Sequence, residues 1–378
     1  MDCAPPAAEA PESLAPISGT GRVLVAMSGG VDSSVVAALL HRQGVEVVGV
    51  SMRLYGTVEA SNGKSCCSPD DLYDARQVSQ TFGFPYYVAN YQERFRELVI
   101  ASFVDAYRRG QTPSPCVLCN DHLKFDALLT RMLNLGADAL ATGHYARIEM
   151  RDGRPALLRG RDAKKDQSYF LFGLPREQLG NIQFPLGHLT KPEVRKLAEE
   201  LGVPTAHKPE SQDICFVGNG DYAAFVRERL KDEEVRPGPF VHTRTGALLG
   251  QHDGIHQFTV GQRKGLRIAH SEPLYVTGID PDTGTVFVGE VETLASATMR
   301  IERCNWLRWP EPPGPFEALV QVRYRHSPVP AVVEPDADNP RVATVRFAAP
   351  ERAIAPGQAA VCYEGDEVLG GGWIVRAC

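Results

Sequence analysis

Along the first two hundred or so residues, the apolar positions alternate between two rhythms. Val23-Leu24-Val25-Ala26 is a short apolar run. Val31–Gln43 then repeats its apolar residues at helical spacing as far as Gly44, and Val45–Met52 forms a second run. The same rhythm predicts helices over Asp70–Phe82, Glu93–Arg109 and Leu123–Leu135, stopped by Gly83, Gly110 and Gly136, with strands over Tyr86–Ala89 and Ala139–Thr142. A further helix over Lys191–Leu201 is entered through Pro192 and stopped by Gly202. Strands and helices in turn imply an α/β domain with a doubly wound parallel sheet, its ligand at the carboxyl ends of the strands.

From about Gly238 the texture changes. Short runs such as Leu274–Gly278 and Thr285–Val288, set between Asp-Gly, Thr-Gly and Pro-Asp pairs, replace the long helical patterns. Phe316–Tyr324, Arg341–Phe347 and Ala359–Tyr363 read as strands of a small barrel, and Pro310–Pro315 as a connector or loop. The expected division is a disordered tail over 1–20, the α/β domain over 21–222, a small β-rich central domain over 223–295 and a C-terminal β-barrel over 296–378. There is no internal repeat.

The 378 residues, 43% hydrophobic, suffice for two or three cores. No stretch reaches the roughly 18 apolar residues of a membrane helix. Residues 1–20 contain no Lys or Arg, unlike a signal or transit peptide, so a cytoplasmic protein without membrane contact is expected. A net charge of −6 argues mildly against a nucleic-acid partner unless a local basic surface exists. Arg159, Arg161, Lys164 and Lys165 are the candidates for one. Nine cysteines without a secretory signal point to reduced thiols with chemistry to do rather than to a disulfide framework.

The sharpest chemical signal is Ala26-Met27-Ser28-Gly29-Gly30-Val31-Asp32-Ser33, a turn between the first strand and the first helix. Its backbone N–H groups at a helix start, with Ser33 and Ser34 hydroxyls beside them, make a phosphate cradle. It lacks the Gly-Lys-Ser/Thr of a Walker loop and the Gly-x-Gly-x-x-Gly of dinucleotide binders. The string resembles the PP-loop of the ATP pyrophosphatases, which cut ATP between the α and β phosphates and leave AMP on an activated substrate.

The second signal is Thr112-Pro113-Ser114-Pro115-Cys116-Val117-Leu118-Cys119-Asn120, directly ahead of a predicted helix over Asp121–Leu135. A thiol at that helix start gains thiolate character. Cys215 follows in Ser-Gln-Asp-Ile-Cys-Phe. The Cys-x-x-Cys alone fits half a zinc site, a redox pair or simple packing. Together, Cys116, Cys119 and Cys215 also suit three corners of a four-iron cluster, a cofactor alternative that is not favoured. No protein-held metal is otherwise expected. Adjacent Cys66 and Cys67 read as packing.

With both signals in place, the chain resembles the tRNA-specific 2-thiouridylases from about Arg22 onward. It does so in AMSGGVDSS, CCSPDDLYDAR, TPSPCVLCN, LKF, ATGHYAR, KDQSYFLF, SQDICF, TVGQRKGL, VRYRH and APGQAAV. The resemblance implies a PP-loop, HUP-like catalytic domain that uses ATP and Mg²⁺ to adenylate the C2 oxygen of the wobble uridine. It implies Cys119 as nucleophile and Cys215 as the persulfide carrier loaded by a donor protein, the two joining in a disulfide. Ala26–Ser33, Met52 and Gly143 match ATP contacts. Ser114, Pro115 and Cys116 match the stretch that touches the target base, and His144, Lys165, Asp166, Gln167, Arg323, Tyr324 and Gln358 match tRNA contacts. Cys116 stands where some members carry Asp, which makes it a possible acid/base or auxiliary thiol, and Ser114 stands where Asn is common. Two other readings stay open on the residues: a PP-loop ligase or amidase acting on a small metabolite, and a nucleic-acid-binding module with a structural metal.

Overall fold

The computed structural model describes residues 21–54, 68–209, 214–217 and 220–377. The expected tail over 1–20 and the Cys66-Cys67 pair lie outside them. The chain divides into two compact units. The first comprises the described residues up to Glu93, with His122–Ser168 and Glu177–Phe216; the second comprises Arg94–Asp121, Tyr169–Arg176 and Val217 onward.

The first unit is built on a parallel sheet of β1 (Arg22–Ala26), β2 (Glu46–Arg53), β3 (Tyr86–Asn90), β4 (Ala139–Ala141) and β7 (Ile182–Gln183), in the order β3-β2-β1-β4-β7. Central β1 runs in register with both neighbours, Val25 opposite Gly49 and Ala141. Its Leu24 and Val25 are fully buried, as a strand covered on both faces requires. The helix Val31–Arg42 buries Val35, Val36, Leu39 and Leu40 beneath the sheet, and each such side chain contributes about 1.5–3 kcal/mol. Pro69–Phe82 starts in a capping box of Ser68 with Asp71 and ends at left-handed Gly83. Lys191–Glu200 starts in another, of Thr190 with Glu193. A hairpin of β5 (Ala146–Arg151) and β6 (Arg154–Arg159), which the hydrophobic pattern did not predict, completes this unit.

The second unit holds two β structures. One is a four-stranded sheet of β8 (Gly238–His242), β9 (Leu248–His252), β10 (Tyr275–Asp280) and β11 (Thr285–Gly289), ordered β10-β11-β8-β9. The other is a closed barrel of β12 (Ala295–Trp306), β13 (Phe316–Gln321), β14 (Val329–Pro335), β15 (Val342–Arg352), β16 (Ala359–Glu364) and β17 (Glu367–Ala377). Its six strands run β12-β15-β14-β13-β16-β17, and β17 closes the ring on β12. Pro310–Pro315 is the loop between β12 and β13. The same unit contains the helical run from Arg94 to Arg108, with one widened turn over Arg96–Ile100, and the short helix Pro115–Cys119.

Candidate active site

The nucleotide loop leaves β1 at Met27, whose N–H bonds to the Val50 carbonyl while Ser51 Oγ bonds to the Met27 carbonyl at 2.6 Å. Both ends of the residue are therefore fixed to β2. Ser33 Oγ accepts from the Ser28 N–H and lies 3.2 Å from Ser28 Oγ, and Ser34 Oγ donates to the Gly30 carbonyl. Gly30 precedes the helix in an extended conformation with no side-chain cap, so the first-turn N–H groups stay open for an anion. Gly29 has φ +74°, and a Cβ there would lie 2.1 Å from the Asp71 carbonyl oxygen. Only glycine satisfies both demands.

A carboxylate in this first turn would oppose a phosphate. Lys191 Nζ meets both oxygens of Asp32, at 2.7 and 2.9 Å, and the Tyr145 hydroxyl donates to the same group. The Asp32 charge is thereby matched within the protein. Lys208 also reaches the loop, bonding to the Gly29 carbonyl, to Asp71 at 2.6 Å and to Asp74. Burial would lower the Lys208 pKa, but its two carboxylate partners outweigh that and raise it. Hydrophobic pattern and motif missed Lys191, Tyr145, Lys208 and Asp71, because nothing local marks a lysine whose partner lies 159 residues away.

Met52 is buried near the end of β2, and Gly143 follows β4. A Cβ on Gly143 would lie 2.9 Å from the Ser33 nitrogen, so this turn packs directly on the helix start. His144 Nδ1 is 2.7 Å from Thr142 Oγ1, and its ring forms a mutual cluster with those of Phe125 and Phe184. Burial, reinforced by Lys124, pushes the imidazole pKa well below its ordinary value. The neutral ring therefore prevails at physiological pH.

Of the anticipated basic surface, Arg159 pairs with Asp166 and Arg161 with Glu193. Asp166 also accepts from the Gly160 N–H and from both donors of Ser168, which makes it an internal organiser of the loop. Gln167 exchanges hydrogen bonds with the backbone of Tyr145. Lys164 is exposed and Lys165 half-buried. Cys215 lies half-buried in a turn of this first unit, and Ser211, Gln212 and Asp213 fall outside the described residues.

Ser114, Pro115, Cys116 and Cys119 belong to the second unit. Here the structure corrects the sequence reading, which began the helix at Asp121 and put Cys119 ahead of it. Pro115 occupies the first helical turn and starts the helix there, so Cys116 lies near its N-terminus and Cys119 at its far end. A widened turn over Asn120–Phe125 then leads to the helix Asp126–Asn134. The helix-start argument therefore moves to Cys116, which is exposed, whereas Cys119 is buried. Asn120 Nδ2 donates to the Phe170 carbonyl. Asp121 keeps one carboxylate oxygen buried with no hydrogen-bond partner, and burial pushes its pKa up to about 7.

Arg323 and Tyr324 follow β13, and the Tyr324 ring is 4.4 Å from that of Phe170. Gln358, between β15 and β16, donates from Nε2 to the carbonyls of Thr112 and Pro113. Among the described residues no group of three or more His, Cys, Asp or Glu side chains is placed to hold a metal ion. No described helix is long and apolar enough to cross a membrane.

Three family profiles match the chain in succession: a tRNA methyl transferase HUP domain over 21–219, a tRNA methyl transferase PRC-barrel domain over 223–290 and an aminomethyltransferase β-barrel domain over 296–374. A protein of Magnetococcus marinus named tRNA-specific 2-thiouridylase MnmA is 50% identical over 357 residues, covering 94% of this chain and 99% of its own. A protein of the same name from Geobacter metallireducens is 51% identical over 362 residues, covering 94% and 97%. One from Acidobacterium capsulatum is 49% identical over 376 residues, covering 95% and 100%.

Proposed function

The chain belongs to the tRNA-specific 2-thiouridylase family and is a tRNA sulfurtransferase, and from that premise we propose that it activates the C2 oxygen of the wobble uridine with ATP and replaces it with persulfide-derived sulfur. The observation that carries this reading is the loop Ala26–Ser33, whose helix start has no side-chain cap and whose first-turn carboxylate, Asp32, is paired with Lys191. Such a loop holds phosphates through N–H and hydroxyl donors. Asp32, Asp71 and Asp74 are engaged by lysines, so magnesium enters as part of the MgATP substrate, carried by the phosphates. Met52 and Gly143 take the adenine side.

In the first step the C2 oxygen attacks the α-phosphorus and pyrophosphate leaves. AMP on C2 is then the leaving group. A donor protein loads Cys215 with a sulfane sulfur, and two balanced routes follow. In one, the Cys119 thiolate attacks the Cys215 sulfur, forms a disulfide and frees hydrosulfide, which displaces AMP. In the other, the terminal persulfide sulfur displaces AMP, and Cys119 then attacks the Cys215 sulfur and releases the thiouridine. Either leaves a Cys119–Cys215 disulfide that an external thiol must reduce, and neither requires an iron–sulfur cluster. Cys116, near the helix start, serves as acid/base or auxiliary thiol. We assign RNA contact to Ser114, Pro115, His144, Lys165, Arg323 and Tyr324, and a supporting role to Asp166, Gln167 and Gln358, each through hydrogen bonds within its own unit. About 50% identity to thiouridylases sets aside the small-metabolite ligase.

An isotope experiment tests the activation step. With tRNA carrying ¹⁸O at uridine C2, the AMP released must contain ¹⁸O. AMP free of label refutes adenylation at that oxygen.

A further inference from the structure

The stretch before the nucleophile helix is short of backbone donors. Pro113 and Pro115 have no N–H, so between them only Ser114 can donate, and anchoring falls on carbonyl oxygens. The C-terminal barrel supplies what those carbonyls need. Gln358 Nε2 donates to the Thr112 and Pro113 carbonyls, 3.1 Å to each. An amide nitrogen carries two protons, and both are used here. The Thr112 N–H returns a bond to the Pro356 carbonyl at 2.8 Å. Between these bonds sits Gly357, at φ +89°, where a Cβ would lie 2.9 Å from the Thr112 oxygen and 3.0 Å from Gln111 Cβ. The turn is itself fixed to β17: Gly357 N–H bonds to the Ile374 carbonyl and Ile374 N–H to the Gln358 carbonyl, both at 2.8 Å. Beyond the nucleophile, Asn120 reaches the Phe170 carbonyl, and Phe170 packs on Tyr324.

We propose that Gln358 is a positioning residue for the nucleophile: through the turn Pro356–Gln358, the barrel holds the run Gln111–Pro113 so that Cys119 is presented in attacking position. This rests on Cys119 being the nucleophile. It gives Gln358 a task distinct from direct contact with RNA, since its amide donors are committed to the protein. Misplacing a reacting group by about 1 Å costs on the order of a hundredfold in rate. The clamp therefore acts on turnover rather than on RNA affinity.

Two variants of the full-length protein test it. Gln358→Met keeps the length and removes the donors; Gly357→Ala pushes a methyl group at Thr112 and alters no polar group. For each, iodoacetamide labelling of Cys119 and Cys215 is followed by site-resolved mass spectrometry without tRNA or ATP, so this readout does not depend on the thiolation reading. In both variants, Cys119 labelling is expected to rise about threefold or more as the segment loosens, with Cys215 unchanged. Steady-state thiolation is expected to lose about ten- to a hundredfold in kcat, with KM for tRNA within about twofold. A raised KM with unchanged Cys119 labelling, a parallel rise at Cys119 and Cys215, or no change in either variant would each overturn the proposal.

Discussion

Lys191 places its ammonium on both carboxylate oxygens of Asp32, at 2.7 and 2.9 Å, joining the start of one helix to the start of another 159 residues along the chain. Asp32 lies in the first turn of the phosphate-binding helix, where an unmatched negative charge would cancel much of the helix-start potential. The pair makes an acidic loop able to receive a triphosphate.

Lys191→Met is therefore expected to weaken ATP binding about tenfold or more, and to lower stability by about 1–2 kcal/mol once partial exposure of Asp32 is discounted. Lys191→Met with Asp32→Asn should recover part of the ATP affinity, because the neutral pair removes the repulsion. Calorimetric titration with MgATP, alongside thermal melts, measures both. Equal ATP affinity in the wild type and the single variant would contradict the role assigned to Lys191.

Gly29 and Gly83 separate strain from site geometry. Both have positive φ, but only at Gly29 does a new Cβ meet backbone, the Asp71 carbonyl at 2.1 Å; at Gly83 it meets nothing within 4 Å. Gly83→Ala should cost about 1–2 kcal/mol of stability with normal pyrophosphate release. Gly29→Ala should in addition abolish pyrophosphate release, because the loop must move off Asp71. Normal release from Gly29→Ala would show that the loop conformation is not required.

Asp121 makes stability depend on pH in an unusual direction for a carboxylate. Its folded pKa of about 7 lies above the ordinary 3.8, so the folded state binds the proton more tightly. Stability from this site is full at low pH and is lost as pH rises through about 4 to 7, by at most about 4 kcal/mol. Asp121→Asn should melt close to the wild type at pH 4 and above it at pH 8. A gap between the two proteins that is the same at both pH values would refute a carboxylate whose one buried oxygen has no hydrogen-bond partner.

Much of this was legible in the sequence because it is local. Alternating apolar rhythms yielded the sheet strands around Val23–Ala26, and Ser28-Gly29-Gly30 announced the loop from its own residues. The strand β17 escaped notice because Gly370, Gly371 and Gly372 lower strand propensity, although the barrel requires them. A Cβ on Gly371 or Gly372 would strike the Phe172 ring or Cys304 Sγ. Neither pattern nor motif could reveal the bonds of Gln358 to Thr112 and Pro113, 246 and 245 residues apart. The helix start at Pro115 was misjudged because a Pro-x-Pro approach reads as a stiff loop, while its second proline suits a first helical turn.

The most direct measurement is nucleoside mass spectrometry of unmodified tRNA after a single turnover with the reduced protein, MgATP and a persulfide donor protein, without added thiol, repeated with Cys119→Ser and with Cys215→Ser. The wild type is expected to yield 2-thiouridine at the wobble position, with one AMP and one pyrophosphate for each, and either variant no 2-thiouridine although both still bind MgATP. Thiolation that persists in either serine variant, or that proceeds without AMP, would contradict this mechanism.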